Sequence, residues 1–258
     1  MTHGIIDFHT HPFLRPENNL CYYKSACPMD ARQVKNQLNQ LGITTICGSV
    51  AAHAGSWEEI TELNEQALEI KRRYGEFYIP GFHIHPGFVD QSIAEVERMA
   101  ALGITLVGEL VPYMHGWKMN HPGLLPILEA AEHYRMVVNF HSTNVDDETM
   151  EPLLARFPKL TFVAAHPGEK ESFLRHLGRM EQFGNYFLDL SGGGLGRMGL
   201  LRFGIDRVGK ERFLFGTDFP ICPPAMYVGA VENDPFLTRE EKNAVFFENA
   251  RRVLRRDE

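Results

Sequence analysis

The sequence predicts an α/β fold, a (β/α)8 TIM barrel, and three observations carry that prediction. Short runs rich in Ile, Val and Phe alternate with longer segments of helical spacing, eight of each. The 258 residues match the length of about 250 that such a barrel uses. Residues able to bind metal fall at the C-terminal ends of the apolar runs, where a barrel gathers its active site. Residues 1–258 are therefore expected to form one barrel domain.

The expected strands are Gly4–His9, Thr44–Ser49, Phe77–His83, Ile104–Glu109, Met136–His141, Thr161–His166, Tyr186–Leu190 and Phe213–Thr217. Helices are expected between them. The first, 30–41, starts at the N-cap Asp30 and stops at Gly42. The second, 56–74, carries a capping box in Ser56 and Glu59. Further helices are expected over 91–102, 122–134, 147–157, 169–183 and 199–208. The last begins after Thr238, with Glu241 three residues on, and runs to about 256. An open doubly wound sheet is the alternative, but it usually places a glycine-rich phosphate loop after its first strand. Here that position reads His-Thr-His-Pro.

Composition narrows the function. With 26 basic and 33 acidic residues the net charge is −7, which disfavours a nucleic-acid partner. The arginines near the C-terminus (Arg251, Arg252, Arg255, Arg256) read as a solvated helix face. The four cysteines, Cys21, Cys27, Cys47 and Cys222, have irregular spacing and no Cys-x-x-Cys pair, as expected of reduced thiols. No signal peptide and no membrane-spanning run is read, so a cytoplasmic protein is expected. Its expected partner is a small-molecule substrate, with association into a homo-oligomer left open.

The chemistry sits at five strand ends: Asp7-Phe8-His9-Thr10-His11, Gly108-Glu109, Asn139-Phe140-His141, Ala165-His166-Pro167 and Gly216-Thr217-Asp218. His9 and His11 are two apart, so they share one strand face as two arms of a chelate. Asp7 shares that parity one layer deeper and is expected to orient a histidine ring. A lone strand-end histidine is more often a satisfied polar residue than a ligand. Five such ends converging on one rim favour a metal site. Imidazole with carboxylate suits zinc, with manganese, iron or nickel as alternatives.

The segments IIDFHTH, VVNFHST, FVAAHPG, YFLDLSGG and FLFGTDFP span residues 5–220 in order and resemble the amidohydrolase superfamily. The likeness is to its amidohydrolase-related (amidohydrolase-2) branch, which includes aminocarboxymuconate semialdehyde decarboxylase-like enzymes. The resemblance implies that His9, His11 and His141 bind metal. It makes Asp218 a ligand or the proton shuttle, and His166 a second-metal ligand or a polarising acid. Glu109 departs from the mononuclear decarboxylase-like pattern. "LVGELVPY" and "GFHIHPGF" look like the TatD-like nuclease branch, where a glutamate helps hold two metals. Glu109 shared between two ions would leave His9, His11 and Asp218 on one and His141 and His166 on the other. Its alternative role is a substrate-contacting carboxylate.

Arg15, His83 and His115 are candidate substrate contacts, set against a solvated arginine and ordinary loop histidines. His85, His53 and Trp117 are candidates to line the mouth. Asp189 is a candidate acceptor beside the metal. "FPICPP" (219–224) reads as a rigid loop without thiol chemistry. The expected activity is metal-dependent hydrolysis of an amide, ester or lactone, with Asp218 and His166 as catalytic residues. The alternatives are a metal-dependent decarboxylase and a TatD-like deoxyribonuclease.

Overall fold

The computed structural model describes residues 4–25, 30–142 and 145–255. Cys27 and Arg256 lie outside the described residues. Eight strands form one parallel sheet in sequential order: β1 (Ile5–Asp7), β2 (Ile43–Gly48), β3 (Tyr78–Phe82), β4 (Leu106–Leu110), β5 (Val137–His141), β6 (Thr161–Ala165), β7 (Tyr186–Asp189) and β8 (Phe213–Leu214). Hydrogen bonds beyond the strands close the sheet into a barrel. Phe8 N donates to Phe215 O at 2.8 Å and His11 N to Phe219 O at 2.7 Å, and Thr10 bridges Phe219 in parallel.

Helices α1 (Ala31–Gln40), α2 (Trp57–Tyr74), α3 (Val89–Ala101), α4 (Leu124–His133), α5 (Asp147–Arg156), α6 (Lys170–Gln182) and α7 (Leu200–Val208) fill the connections between strands. The N-cap at Asp30 and the capping box at Ser56 form as the sequence predicts, and Gln33 extends the first into a capping box. Two differences follow β8. A helix, α8 (Pro224–Glu232), starts where a loop is expected, because a proline at its first position needs no amide partner there. The C-terminal helix is also not uniform. After the Thr238–Glu241 capping box, α9 (Arg239–Asn243) passes into a π-helical stretch, Ala244–Glu248, before α10 (Asn249–Val253).

β8 is two residues long, against five expected. The backbone leaves the ladder because Phe215 N bonds to Val245 O at 3.1 Å and Thr217 N to the Asp7 carboxylate at 3.0 Å. Two apolar clusters hold the layers. The larger lies between strands and helices. The smaller joins Ile6, Cys47, Leu106, Val137, Val163 and Leu214, one from each of six strands, which meet inside the barrel.

A buried polar network ties α6 to the sheet. The His176 ring nitrogens meet the Tyr186 hydroxyl at 2.8 Å and the Ser142 hydroxyl at 3.5 Å. Arg179 donates to the same tyrosine at 3.2 Å and to Asp147 at 2.9 Å. Burial, reinforced by the charges of Arg179 and Arg175, pushes the His176 imidazole down to about 3. Its folded pKa therefore lies below the unfolded value of 6.5. Its contribution to stability is complete above pH 6.5 and declines as pH falls towards 3. Between pH 7 and pH 5 that loss is about 2 kcal/mol. Urea unfolding of His176→Gln should show a pH 7-to-5 stability loss smaller than wild type by that amount. Equal losses would contradict a neutral buried His176.

Candidate metal centre

The C-terminal strand ends bring His9, His11, Glu109, His141, His166 and Asp218 to one rim. The hydrogen bonds on the far side of each ring fix what His9 and His11 present. His9 Nδ1 donates to Asp189 Oδ2 at 2.9 Å, and His11 Nδ1 to Ser49 O at 3.2 Å. An imidazole whose proton sits on Nδ1 offers a lone pair at Nε2. The two Nε2 atoms are 3.2 Å apart. Glu109 Oε2 lies 3.4 Å from the first and 3.2 Å from the second. Asp218 Oδ1 lies 3.7 Å and 3.5 Å from them.

With both imidazoles in that tautomer, four lone-pair atoms face one point. An ion bound tetrahedrally at about 2.0–2.2 Å separates its ligands by roughly 3.3–3.6 Å, close to the spacings seen. Asp218 Oδ1 is buried and has no hydrogen-bond partner. A buried acceptor without a donor is costly unless a cation satisfies it. His9, His11 and Asp218 offer three ligand atoms within 4.8 Å of one another. The donor set fits a divalent metal.

Electrostatics point the same way. Burial opposes charge on His9, but Asp189 and Glu109 outweigh it and raise its pKa well above the ordinary value. His11 is lifted to about 9 against the same burial by the neighbouring carboxylates of Asp218 and Glu109. Burial resists ionisation of Glu109 too, and the facing imidazoles still hold its pKa well below the usual carboxylate range. The site attracts positive charge.

Glu109 has a second face. Its Oε1 lies 3.0 Å from His141 Nδ1 and 3.7 Å from His166 Nε2. His9, Glu109 and His166 form a second candidate ligand group. One carboxylate thus reaches both imidazole pairs, in the arrangement the sequence suggests for a shared glutamate. Burial lowers the His166 pKa, so its ring is neutral. His166 and Asp218 both have left-handed backbone, φ 71° and 64°. Such strain in a non-glycine residue costs on the order of 1–3 kcal/mol and concentrates at functional sites. Asp218 is held there by its N–H on His9 O at 2.9 Å.

Asp189, at the end of β7, is the hub beneath the rim. Besides His9 it accepts from Asn139 Nδ2 at 3.0 Å and from the Ser191 hydroxyl. That hydroxyl in turn meets His166 Nδ1 at 3.0 Å. One carboxylate orients His9 directly and His166 through Ser191. The expectation that Asp7 would orient a histidine ring is corrected here. Asp7 accepts from Thr217 N at 3.0 Å and Thr217 Oγ1 at 2.6 Å, so it anchors the chain just before Asp218. Gly192 (φ +60°) completes the floor, because a Cβ there would stand 2.3 Å from His166 Nδ1.

The other candidates stand outside the donor cluster itself. Arg15 is half-exposed and paired with Glu62, away from the cluster. His53 is exposed. His85 spends both ring nitrogens on the backbone of His115 and Gly87. His83 and His115 are buried beside one another, with ring centroids 4.9 Å apart. A cavity of about 410 Å³ opens against His141, lined by Tyr113, Trp117, Lys118, Asn120 and Asp146 among others. A larger one of about 770 Å³ lies at the opposite strand ends, among Ile79, Thr105 and Val137, remote from every donor named above. The smaller cavity is the one the chemistry can use.

The amidohydrolase family model matches residues 6–256. No curated protein sequence matches the chain. Solved structures share its fold over their whole length. The 2,6-dihydroxybenzoate decarboxylase from Rhizobium superposes with a TM-score of 0.78 at 16% identity, covering 99% of this chain and 100% of that one. The 5-carboxyvanillate decarboxylase from Sphingomonas paucimobilis gives 0.68 at 17%, covering 98% and 99%. A dihydroxybenzoic acid decarboxylase from Polaromonas sp. JS666, with bound manganese and the inhibitor 2-nitroresorcinol, gives 0.72 at 15%, covering 99% and 98%. The TatD-like expectation finds no support among these matches.

Asp189→Asn should weaken metal binding about 10- to 100-fold with the fold retained, because the acceptor that orients His9 is lost. Competition with a chelating dye measures this. Unchanged affinity would contradict the orienting role.

Proposed function

This chain belongs to the amidohydrolase family, and on that premise we propose that it is a metal-dependent decarboxylase of a small aromatic or enoic acid. The observation that carries the reading is the aromatic-walled cavity beside the donor cluster. About 410 Å³ suits a small ligand, and its Tyr113 and Trp117 walls suit a flat one. Lys118 on the same wall supplies a cation for an acid. The three named neighbours, each a decarboxylase of an aromatic acid, support it.

His9, His11, Glu109 and Asp218 would hold the ion, with His141 and His166 flanking it. Zinc suits this donor set, and manganese, the ion named for the Polaromonas neighbour, suits it as well. Bound there, the ion would act as a Lewis acid towards a substrate oxygen. The protein's own contribution is a proton and a fixed geometry. Asp218, whose Oδ1 is a buried acceptor without a partner among the described residues, would take a proton from the acidic O–H of the entering substrate and pass it to the carbon that bears the carboxyl group. The carbon–carbon bond to that carboxyl breaks and carbon dioxide leaves. Neutral His166 donates through Nδ1 to Ser191, which keeps its Nε2 lone pair turned towards the cluster.

Hydrolysis of an amide, ester or lactone is the second reading, and Glu109 favours it. A carboxylate with one oxygen on each imidazole pair suits two ions, and two-ion sites serve hydrolysis.

The deciding experiment offers the zinc- or manganese-loaded enzyme hydroxybenzoates and carboxyvanillate, then a panel of lactones and amides. Bound metal per chain is counted alongside. Carbon dioxide release with one ion per chain is expected. Two ions per chain with hydrolysis and no carbon dioxide would overturn the first reading in favour of the second. In either reaction Asp218→Asn should leave the melting temperature near wild type and lower kcat by about 100-fold or more. Wild-type turnover in that variant would remove the role assigned to Asp218.

A further inference from the structure

We propose that His83 and His115 form a hydrogen-bond-accepting subsite beside the metal centre, built to recognise a substrate hydroxyl remote from the reacting carbon. The loop after β2 sets it up. His11 Nδ1 donates to Ser49 O, His83 Nε2 to Val50 O at 2.8 Å, and His115 Nε2 to Ala52 O at 3.2 Å. Each carbonyl fixes a tautomer, and each ring then presents its other nitrogen as a lone pair. In His11 that lone pair faces the metal point. In His83 and His115 it is Nδ1, and both Nδ1 atoms are buried without a hydrogen-bond partner among the described residues.

The two side chains are 1% and 2% exposed, so bulk water does not satisfy them. Trp117 Nε1 and Ser49 Oγ are also buried and unpartnered. His85 shows the contrast, since both its nitrogens are engaged. A buried polar atom left unpaired is unfavourable, and these four, all on the segments that follow β2, β3 and β4, mark a place made for a polar ligand. Burial also keeps both rings neutral, pushing His83 down to about 4 and His115 to about 3, so they accept rather than donate.

The position suits a substrate that spans the site. His83 follows β3, next to the strand that carries Glu109. Trp117 lines the same cavity as His141. The chemistry selects a hydroxyl over an amine cation. A hydroxyl donates to an imidazole lone pair and accepts from the indole N–H, whereas an ammonium group has no lone pair for that N–H. A methyl ether cannot donate at all. The identity of the acid rests on the decarboxylase reading, and the subsite makes it a ring-hydroxylated one.

The test uses calorimetric titration of the manganese-loaded enzyme with salicylates hydroxylated at position 3, 4 or 5, each against its methyl ether at that position. At least one hydroxy acid should bind about tenfold tighter than its ether. In His83→Phe and His115→Phe that preference should fall to about twofold or less. His83→Asn, whose amide oxygen can stand where Nδ1 does, should restore part of it. Nitrogen-15 spectra of the unmutated enzyme give a second reading that needs no variant. His83 and His115 should both carry hydrogen on Nε2, and their Nδ1 signals should move with the hydroxy acid and not with its ether. Equal binding of each pair, no binding of any acid, or a preference unchanged in folded phenylalanine variants overturns the proposal. Retained preference without carbon dioxide release removes the decarboxylase reading and leaves the subsite standing.

Discussion

Four lone pairs aimed at one point are the constraint on which the rest of this structure depends. The Nε2 atoms of His9 and His11 lie 3.2 Å from each other and 3.2–3.7 Å from Glu109 Oε2 and Asp218 Oδ1. Without an ion the carboxylates draw protons onto the two imidazoles, which is why both pKa values are raised. A dication can take the place of those protons and face all four atoms at once. The surroundings are arranged to keep the lone pairs turned inward. Asp189 and the Ser49 carbonyl take the outward hydrogens of the two imidazoles, and Asp7 anchors Thr217 just before Asp218. The barrel supplies the convergence, because β1, β4 and the chain after β8 each end at the same rim.

Glu109 makes the site two-sided. One oxygen belongs to the four-atom cluster and the other faces His141 and His166. That geometry resembles a shared ligand, while the aromatic cavity beside it suits a flat small ligand. The two features are compatible within one site, since a carboxylate that bridges two ions can equally orient His141 when one is bound. Under the proposed function, the count of bound ions is what separates decarboxylation from hydrolysis, with the same donor residues proposed for both.

Much of this was legible in the sequence, for physical reasons that differ by residue. The strands were readable because parallel strands buried on both faces form continuous apolar runs, and the ligands because they close those runs. The N-cap Asp30 and the capping boxes at Ser56 and Thr238 mark helix starts through local chemistry alone. Asp189 was underweighted, because its partner His9 lies 180 positions away and no spacing rule links them. Its signal was an acid ending an apolar run two residues before Ser191. Parity misassigned Asp7, since face alternation says which side a carboxylate takes but not which donor it meets. The short β8 and helix α8 were missed because the Val245 carbonyl that draws off Phe215 is a tertiary contact.

The account stands on an ion at the point where those lone pairs meet. Crystals of the protein grown with zinc or manganese, measured across the metal's absorption edge, test that directly. One anomalous peak is expected about 2.0–2.3 Å from His9 Nε2, His11 Nε2, Glu109 Oε2 and Asp218 Oδ1. A well-ordered rim with no peak there at saturating metal, or a peak bound only by other residues, would contradict it.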